Sequence, residues 1–496
     1  MTIKKICLIT PPSPFLLDER VFMNIGILKV AAVLEQRDYK VDFMDLSGVS
    51  NFSDVLNDYV KDPKNPKIFG VTATTPQVPF AIKIAEVLKR GDATKLILGG
   101  PHVSLMHSAA KQEEKNDFSA SDRATKDIEQ LLKFYDVLVC GDGELSVFEA
   151  LKINSGIVDA DDRRSPLFLT NQQFTEFPLP ARHLVDIDSY NYQIEGINAT
   201  SLIAQLGCPF YCTFCSGRNS PFLRKIRTRG TDSVIDELEH LHLKYGFKAF
   251  MFYDDELNVN KNMVSMMNQI TDLQEKHGVN FKLRGFIKAE LFNEIQAEAM
   301  YRAGFRWILT GFESGDERIL STIKKRASKD DNTKCIEIAK KHGLKVKALM
   351  SIGHAGESAK TIENTKNWLL QSKPEEFDCT IITTYPGSPY FDEARREEDH
   401  YVYTSDITGD KLYQKSLNYL TEQDYYKGDP TGGYVSYVWT DHLSAKELVN
   451  QRDTLEKEVR KKLNIPFYSA RAAIKYEHSM GQGNINIPDY ILKRSE

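Results

Sequence analysis

The sequence predicts an α/β protein: an N-terminal doubly wound, Rossmann-like parallel sheet, then a partial (β/α)6 barrel, then a C-terminal α-rich cap. Three observations predict it. Short apolar runs alternate with helix-spaced stretches over residues 1–155, the pattern of a parallel sheet covered on both faces. The alternation lapses over 156–195 and resumes near residue 200 as a series of strand–helix units. The 496 residues allow about three domains at roughly 150 residues each. The expected division is 1–155, a linker 156–195, a barrel 196–395 and a capping region 396–496.

In the first domain KKICLIT (4–10) is a short apolar strand. Helical spacing then puts Ile27, Val30, Ala31 and Leu34 on one face of 24–37. YKVDFMDLSG (39–48), KIFGVTAT (67–74), TKLILGG (94–100) and DVLVCGDG (136–143) read as further strands, with a helix from Val78 to Leu88. Ligands of such sheets sit at the carboxyl ends of the strands, so the exits at Gly70, Gly99-Gly100 and Gly141-Asp142-Gly143-Glu144 mark a ligand site. The polar stretch 106–130 reads as a solvated loop or helix. In the linker, Pro178 and Pro180 block regular helix.

The second half reads as strands at 201–207, 248–256, 281–288, 306–315, 345–353 and 378–388, with helical stretches at 234–245, 261–276, 290–303, 328–342 and 359–371. Its length falls short of the roughly 250 residues of a full eight-unit barrel. The last hundred or so residues are aromatic and charged, with a helix at 444–463.

Composition excludes several classes. With 64 Lys+Arg against 69 Asp+Glu, the chain has no global nucleic-acid-binding signature. It has no run of about 18 apolar residues that would cross a membrane. The N-terminus has two lysines and a short apolar run ended by Pro11 and Pro12, a first strand rather than a signal peptide. Seven cysteines are too few for a disulfide scaffold, so a reducing cytoplasm is the expected location.

Three of those cysteines, Cys208, Cys212 and Cys215, stand in GCPFYCTFCSGR with C-x3-C-x2-C spacing, just after a strand. One short loop can give three thiolates to three irons of a cubane and leave the fourth iron open for a substrate or cofactor. A zinc site with a distant fourth ligand and simple burial are the alternatives. Zinc sites favour paired C-x2-C knuckles, and no second pair exists here. Cys7, Cys140, Cys335 and Cys379 lie in apolar strands or a helix and read as core residues.

The spacing resembles that of the radical S-adenosylmethionine superfamily. So do FYDDE (252–256), GFESG (311–315), SIGHAGES (351–358) and TYPGSP (384–389), in that order. The preceding GGPH (99–102), CGDGE (140–144) and FPLPAR (177–182) are similar to the cobalamin-binding N-terminal domain of its class B members. The resemblance covers residues 1 to about 395. It implies a 4Fe–4S cluster on Cys208, Cys212 and Cys215. It further implies S-adenosylmethionine on the open iron, cleavage to a 5′-deoxyadenosyl radical, an external one-electron donor of flavodoxin or ferredoxin type, and a small-molecule substrate.

The resemblance also assigns cofactor-contacting positions. Asp254, Asp255 and Glu256 would face the methionine ammonium group, with Asp255 matching best. Glu313 would meet a ribose hydroxyl or that ammonium group; alternatively it pairs with Arg284 inside the barrel. Phe214, Arg284, Ser314 and Gly353 join this set, Gly353 by letting backbone approach the adenine, while Glu357 orients its loop. Around the basic stretch Arg218, Arg224, Arg227 and Arg229, a carboxylate-binding arginine and a solvated loop both fit. Cobalamin would meet Thr72, Thr74, Gly99, Gly100, His102, Gly141, Gly143 and Glu144; the loop 10–26 has no histidine to ligate cobalt from below. Glycines also end strands in doubly wound folds that hold no ligand. The functional expectation is a cobalamin-dependent radical methyltransferase acting on carbon or phosphorus. A non-methylating radical cyclase, dehydratase or C–C coupling enzyme and a non-catalytic iron–sulfur carrier are the alternatives.

Overall fold

The computed structural model describes residues 4–13, 19–115, 122–423, 425 and 434–466. Part of the loop 10–26 (14–18) and the chain beyond 466 lie outside the described residues.

The first sheet has six parallel strands: β1 (Lys5–Thr10), β2 (Lys40–Asp45), β3 (Ile68–Thr72), β4 (Lys95–Gly99), β5 (Val137–Cys140) and β6 (Gly156–Asp159), in the order 2-1-3-4-5-6. The order reverses between β1 and β3, so their carboxyl ends open the crevice where such sheets hold ligands. The strands read as apolar runs because both faces are covered, by Ile25–Glu35 and Gly143–Lys152 on one side and Val78–Arg90 and Pro101–Lys115 on the other. Two corrections follow. Residues 156–159 belong to this sheet rather than to a linker. The described part of 106–130 is helical and carries a buried face, with Met106, Ala109, Ala124 and Ile128 in the core, so it is not merely solvated. The spacing of small residues there hid its amphipathic pattern.

The second sheet is the partial barrel. A short hairpin, β7 (Gln193–Ile194) and β8 (Ile197–Leu202), starts it, and an antiparallel ribbon of β9 (Gln205–Leu206) and β10 (Arg227–Thr228) flanks the cysteine loop. Then come β11 (Ala249–Phe252), β12 (Lys282–Phe286), β13 (Phe305–Glu313), β14 (Lys345–Ile352) and β15 (Glu376–Ile381). Strands 8, 11, 12, 13, 14 and 15 are parallel neighbours in that order, giving the six units expected. Outward residues such as Phe250, Leu283, Ile308, Val346 and Phe377 join one large core with the helices, while Ala199, Met251 and Leu309 face inward. Val21 and Phe22, from the exit of the first sheet, pack into that inner cluster.

The cap holds the expected helix, Ala445–Leu463, whose Ser444 and Glu447 form a capping box. Beside it lies an antiparallel sheet of β16 (Arg395–Glu397), β17 (His400–Thr404), β18 (Lys411–Lys415) and β19 (Val438–Thr440) that the sequence reading did not include. Its strands are short, and that scale of pattern is hard to separate from loop. No helix among the described residues is long and apolar enough to cross a membrane.

Candidate active site

Carboxyl ends of the two parallel sheets face each other, and the cysteine loop lies between them. Gly207 precedes the loop with φ of +86°; a Cβ there would stand 2.2 Å from the Lys225 carbonyl oxygen, so only glycine lets the two ends of the loop close. Backbone hydrogen bonds then fix the loop: Cys208 donates to Leu223 (3.0 Å), Cys215 to Cys212 (3.1 Å) and Thr213 to Ile323 (2.9 Å). All three thiols are free; burial first, and then repulsion from the neighbouring thiols and carboxylates, raises the proton affinity of Cys215 and pushes Cys208 up to about 11. Among the described residues no three His, Cys, Asp or Glu side chains converge as ligands of one ion. Cubane ligands each take a different iron and so stand apart, and three neighbouring free thiols on one loop fit that donor set. Bound metal is what would hold such thiols as thiolates.

Two of the three acidic residues after β11 grip the root of this loop. Asp254 Oδ1 accepts from the Ala204 N–H (3.1 Å) and Asp255 Oδ2 from the Gly207 N–H (2.9 Å). Burial raises Asp254 to about 8. Glu256 points the other way, toward Lys288 and Lys325, with a buried Oε2 that has no hydrogen-bond partner among the described residues; burial raises it to about 7. Cys215, Tyr253 (44% exposed) and Asp255 keep solvent-accessible surface, while the protein packed around them raises the proton affinity of all three.

Glu313 ends β13 at a register shift, with φ of +64°. Its carboxylate folds back over Gly311, where a Cβ would meet Oε1 at 2.4 Å. It accepts from Lys325 Nζ (3.1 Å) and Ser351 Oγ (2.8 Å), so the alternative pairing with Arg284 is not formed. Arg284 instead donates to the Tyr192 hydroxyl (3.3 Å) and lies over Trp307. Strain at a non-glycine residue concentrates at functional positions, and here it turns Glu313 toward the cysteine loop's neighbour Lys325. Burial works against the Lys325 charge, but Glu313, Cys212 and Glu256 outweigh it and raise its proton affinity. Lys288, ion-paired with Glu290 (3.1 Å), lies 4.6 Å from the ring of Phe210 in the loop.

Beyond Glu313 the chain of contacts continues. Ser351 Oγ meets His354 Nε2 (2.8 Å), and His354 Nδ1 meets the Tyr390 hydroxyl (3.3 Å). Phe214 sets its ring edge-on to His354 at 5.4 Å. Burial pushes His354 down to about 4, so it is neutral near pH 7. Gly353 has φ of +86° and packs beneath Ile381 and Val438; Glu357 accepts from its N–H (3.2 Å), orienting that loop. Ser314 is turned away, its hydroxyl meeting Thr365 (3.1 Å).

In the first domain, Thr72 and Gly99 end neighbouring strands at the crevice, and Thr74 Oγ1 bonds Gln77 (2.9 Å), whose amide donates to Pro11 (2.9 Å). Gly100 has φ of +101° and presses on Ala73; Gly141 presses on Ala160 and Asp161, and Gly143 on Val30. Those glycines therefore have a packing reason that needs no ligand. His102 is fully buried against Asp127 (3.1 Å). Glu144 pairs with Lys29 (3.5 Å). Asp142, between the two glycines, forms a buried ion pair with Arg227, and Asp161 accepts from Ser220 Oγ (2.8 Å) and Phe222 N–H (2.7 Å). Reading the sequence missed Asp142, Asp161, Lys325, Ser351 and His354 as site residues. Asp142, Ser351 and His354 stood inside quoted motifs; Asp161 and Lys325 lay in turn-like or basic stretches outside them.

A three-cysteine loop held at the mouth of a parallel half-barrel and braced by a nucleotide-type sheet defines the class: an enzyme that works through bound organometallic cofactors. Comparison with known proteins agrees. The radical SAM superfamily model matches residues 202–369 and the B12 binding domain model residues 19–131. An uncharacterised methyltransferase of Pyrococcus horikoshii is 27% identical over 79% of this chain and 84% of its own length. An anaerobic magnesium-protoporphyrin IX monomethyl ester cyclase of Cereibacter sphaeroides is 24% identical over 71% of this chain, which spans only 58% of that protein. In fold, the cobalamin- and cluster-bound methyltransferase TsrM of Kitasatospora setae aligns with a TM-score of 0.60 at 18% identity, covering 82% of this chain and 81% of that one. The chain belongs to the cobalamin-binding-domain-containing radical S-adenosylmethionine enzymes, and its cofactors are a 4Fe–4S cluster, S-adenosylmethionine and cobalamin.

Proposed function

We propose that the protein is a cobalamin-dependent methyltransferase acting by radical chemistry on an unactivated carbon or phosphorus of a small molecule. The observation that carries this reading is the apposition of the two carboxyl ends: Asp142 and Asp161 of the first domain hold the segment that follows the cysteines, and the ring of Phe22 from the β1 exit lies 5.3 Å from that of Tyr253, tilted by 48°. The two domains thus meet at the cysteine loop, as a methyl relay between their cofactors would require.

Cys208, Cys212 and Cys215 would hold the cluster, which supplies the electron that opens S-adenosylmethionine to a 5′-deoxyadenosyl radical, while cobalamin supplies methyl-group transfer. Asp254 and Asp255 keep the loop root in place. Glu256 and Glu313 offer carboxylate acceptors to the cofactor's ammonium and ribose groups, with Lys325 holding Glu313. Phe214, with His354 behind it, offers an aromatic face for adenine. At the β1/β3 crevice, Thr72, Thr74, Gly99 and Gly100 would approach the corrinoid, with Gly141, Gly143, Glu144 and the buried His102 supporting its walls. The relatives' names include both methyltransferases and a cyclase.

The test is anaerobic reconstitution with iron, sulfide and cobalamin, followed by turnover with methyl-labelled S-adenosylmethionine and a panel of small molecules. Label transfer with S-adenosylhomocysteine formed supports methyl transfer. Formation of 5′-deoxyadenosine with no label transferred moves the reading to non-methylating radical chemistry, and no cleavage at all leaves an electron carrier.

A further inference from the structure

We infer that Asp406 and Asp410, in the hairpin between β17 and β18 of the cap, are positioning residues for S-adenosylmethionine: they strap down segment 318–326, which presents Lys325 to Glu313 and backs the cysteine loop. This rests on the reading of Glu313 and the three cysteines as the cofactor site. The segment starts within the short helix Glu317–Thr322 and ends with two left-handed residues, Lys324 (φ +53°) and Arg326 (φ +62°). Lys325, between them, turns its ammonium group to Glu313 (3.1 Å). Helices commonly end on one left-handed residue, and glycine takes that position at least cost. Here the Lys324 N–H donates to the Ser321 carbonyl (3.0 Å) and the Lys325 N–H to the Leu320 carbonyl (3.2 Å), so the helix ends without a glycine. A second left-handed residue two positions on adds strain, which persists only where neighbouring structure holds it.

The cap supplies that hold. Lys324 Nζ donates to Asp406 Oδ2 (2.7 Å). Both oxygens of Asp410 accept from Arg318 Nη2 (2.6 and 2.5 Å), while Arg318 Nη1 donates to the Gly356 carbonyl (3.2 Å). Gly356 has φ of +80°, and a Cβ there would stand 2.5 Å from Asp410 Oδ2, so the hairpin also closes onto the 353–357 loop. The hairpin is itself braced: Ser405 Oγ accepts from the N–H groups of Ile407 and Thr408 (3.3 Å each). Exposed ion pairs contribute little unless their geometry is good. Asp406 is 64% exposed and Asp410 only 15%, so Asp410, paired through both oxygens, carries more of the hold. On its inner side the strapped segment meets the cofactor site three times. Lys325 bonds Glu313, the Ile323 carbonyl accepts from the Thr213 N–H (2.9 Å), and Phe214 packs on Ile319, Leu320 and Ile323. Without the strap the left-handed run relaxes and Lys325 leaves Glu313. The cysteines keep their place, because Asp254 and Asp255 hold the loop root independently.

The experiment uses the reconstituted full chain with S-adenosylmethionine as probe. Binding is read by isothermal titration and by the change the cofactor causes in the electron paramagnetic resonance signal of the reduced cluster. In the Asp406→Asn/Asp410→Asn variant the dissociation constant is expected to rise about tenfold, with iron content at the wild-type level. Lys324→Gly separates positioning from folding. Glycine suits the left-handed backbone, so thermal stability should hold or rise, yet affinity should fall about threefold because the ion pair to Asp406 is gone. Wild-type affinity in both variants overturns the inference. So does a parallel loss of iron, which would make the hairpin a support of the cysteine loop instead. A fall in stability that matches the fall in affinity of Lys324→Gly also overturns it, by reducing the strap to a folding element. Lys325→Met tests the reading beneath. If it binds the cofactor as wild type does, the assignment of Glu313 fails; if it weakens binding while the strap variants do not, the strap alone fails.

Discussion

Asp142, at the exit of β5 in the first domain, forms an ion pair with Arg227, which follows the cysteine loop, and both side chains are 2% exposed. Arg227 also donates to the Phe222 carbonyl (2.9 Å), while Asp142 accepts from the Leu169 N–H (3.0 Å). Charge deep in a protein is tolerated when its bonding positions are filled, as they largely are here. The pair therefore ties the first domain to the cysteine loop through a contact that neither domain makes alone.

Removing one partner isolates the other. Asp142→Ala should cost about 3–5 kcal/mol of stability, because Arg227 is left as a buried unpaired cation. Thermal unfolding and iron content of the reconstituted protein measure this. A shift of less than a degree or two with full iron loading would refute the bracing role.

Gly100 makes a second test. Its φ of +101° and a Cβ position 2.7 Å from the Ala73 nitrogen leave no room for a side chain. Gly100→Ala should destabilise the first domain by roughly 2 kcal/mol or more and weaken corrinoid binding, since the β3 and β4 exits must part. Urea titration and corrinoid absorption after desalting read the two effects separately. Wild-type behaviour in both would show that the crevice adjusts freely.

His354 predicts a pH dependence. Burial holds its folded-state value near 4, against about 6.5 in an unfolded chain. Between those values the unfolded state binds the extra proton, so its contribution favours folding above pH 6.5 and is lost progressively as pH falls toward 4, by up to about 3 kcal/mol. Denaturant unfolding at pH 5 and pH 7.5 measures the slope, and His354→Gln should flatten it. An equal slope in the variant would assign the effect to other groups.

Lys325 and Glu313 supply the fourth. Lys325→Met leaves Glu313 bonded only by Ser351 and should raise the KM for S-adenosylmethionine about tenfold or more, with iron content unchanged. Isothermal titration with S-adenosylmethionine checks the binding part. Unaltered affinity would restrict the pair to a structural role.

Much of the fold was legible in the sequence because parallel strands buried on both faces write themselves as apolar runs, and the helices between them as 3.6-residue periods. Five strands of the first sheet and six of the barrel follow from such runs. The sixth strand, Gly156–Asp159, is four residues long and escaped notice, as did the short strands of the cap. Cys208, Cys212 and Cys215 could be proposed as ligands from the sequence because C-x3-C-x2-C spacing is a local property of one loop.

Partner choice was not local. Arg218, Arg224, Arg227 and Arg229 are alike in sequence, yet Asp142, 85 residues before Arg227, makes one of them a buried brace while two stay without a carboxylate. Strand adjacency offered Arg284 as the alternative partner of Glu313, but the register shift at the end of β13 turned it to Lys325 and Ser351. By itself the sequence determined the two parallel sheets, their order and the three cysteines, because periodicity and spacing are carried by neighbouring residues. Only the tertiary structure decided which charges meet, since an ion pair depends on how distant strands end and twist, and no short stretch of chain records that.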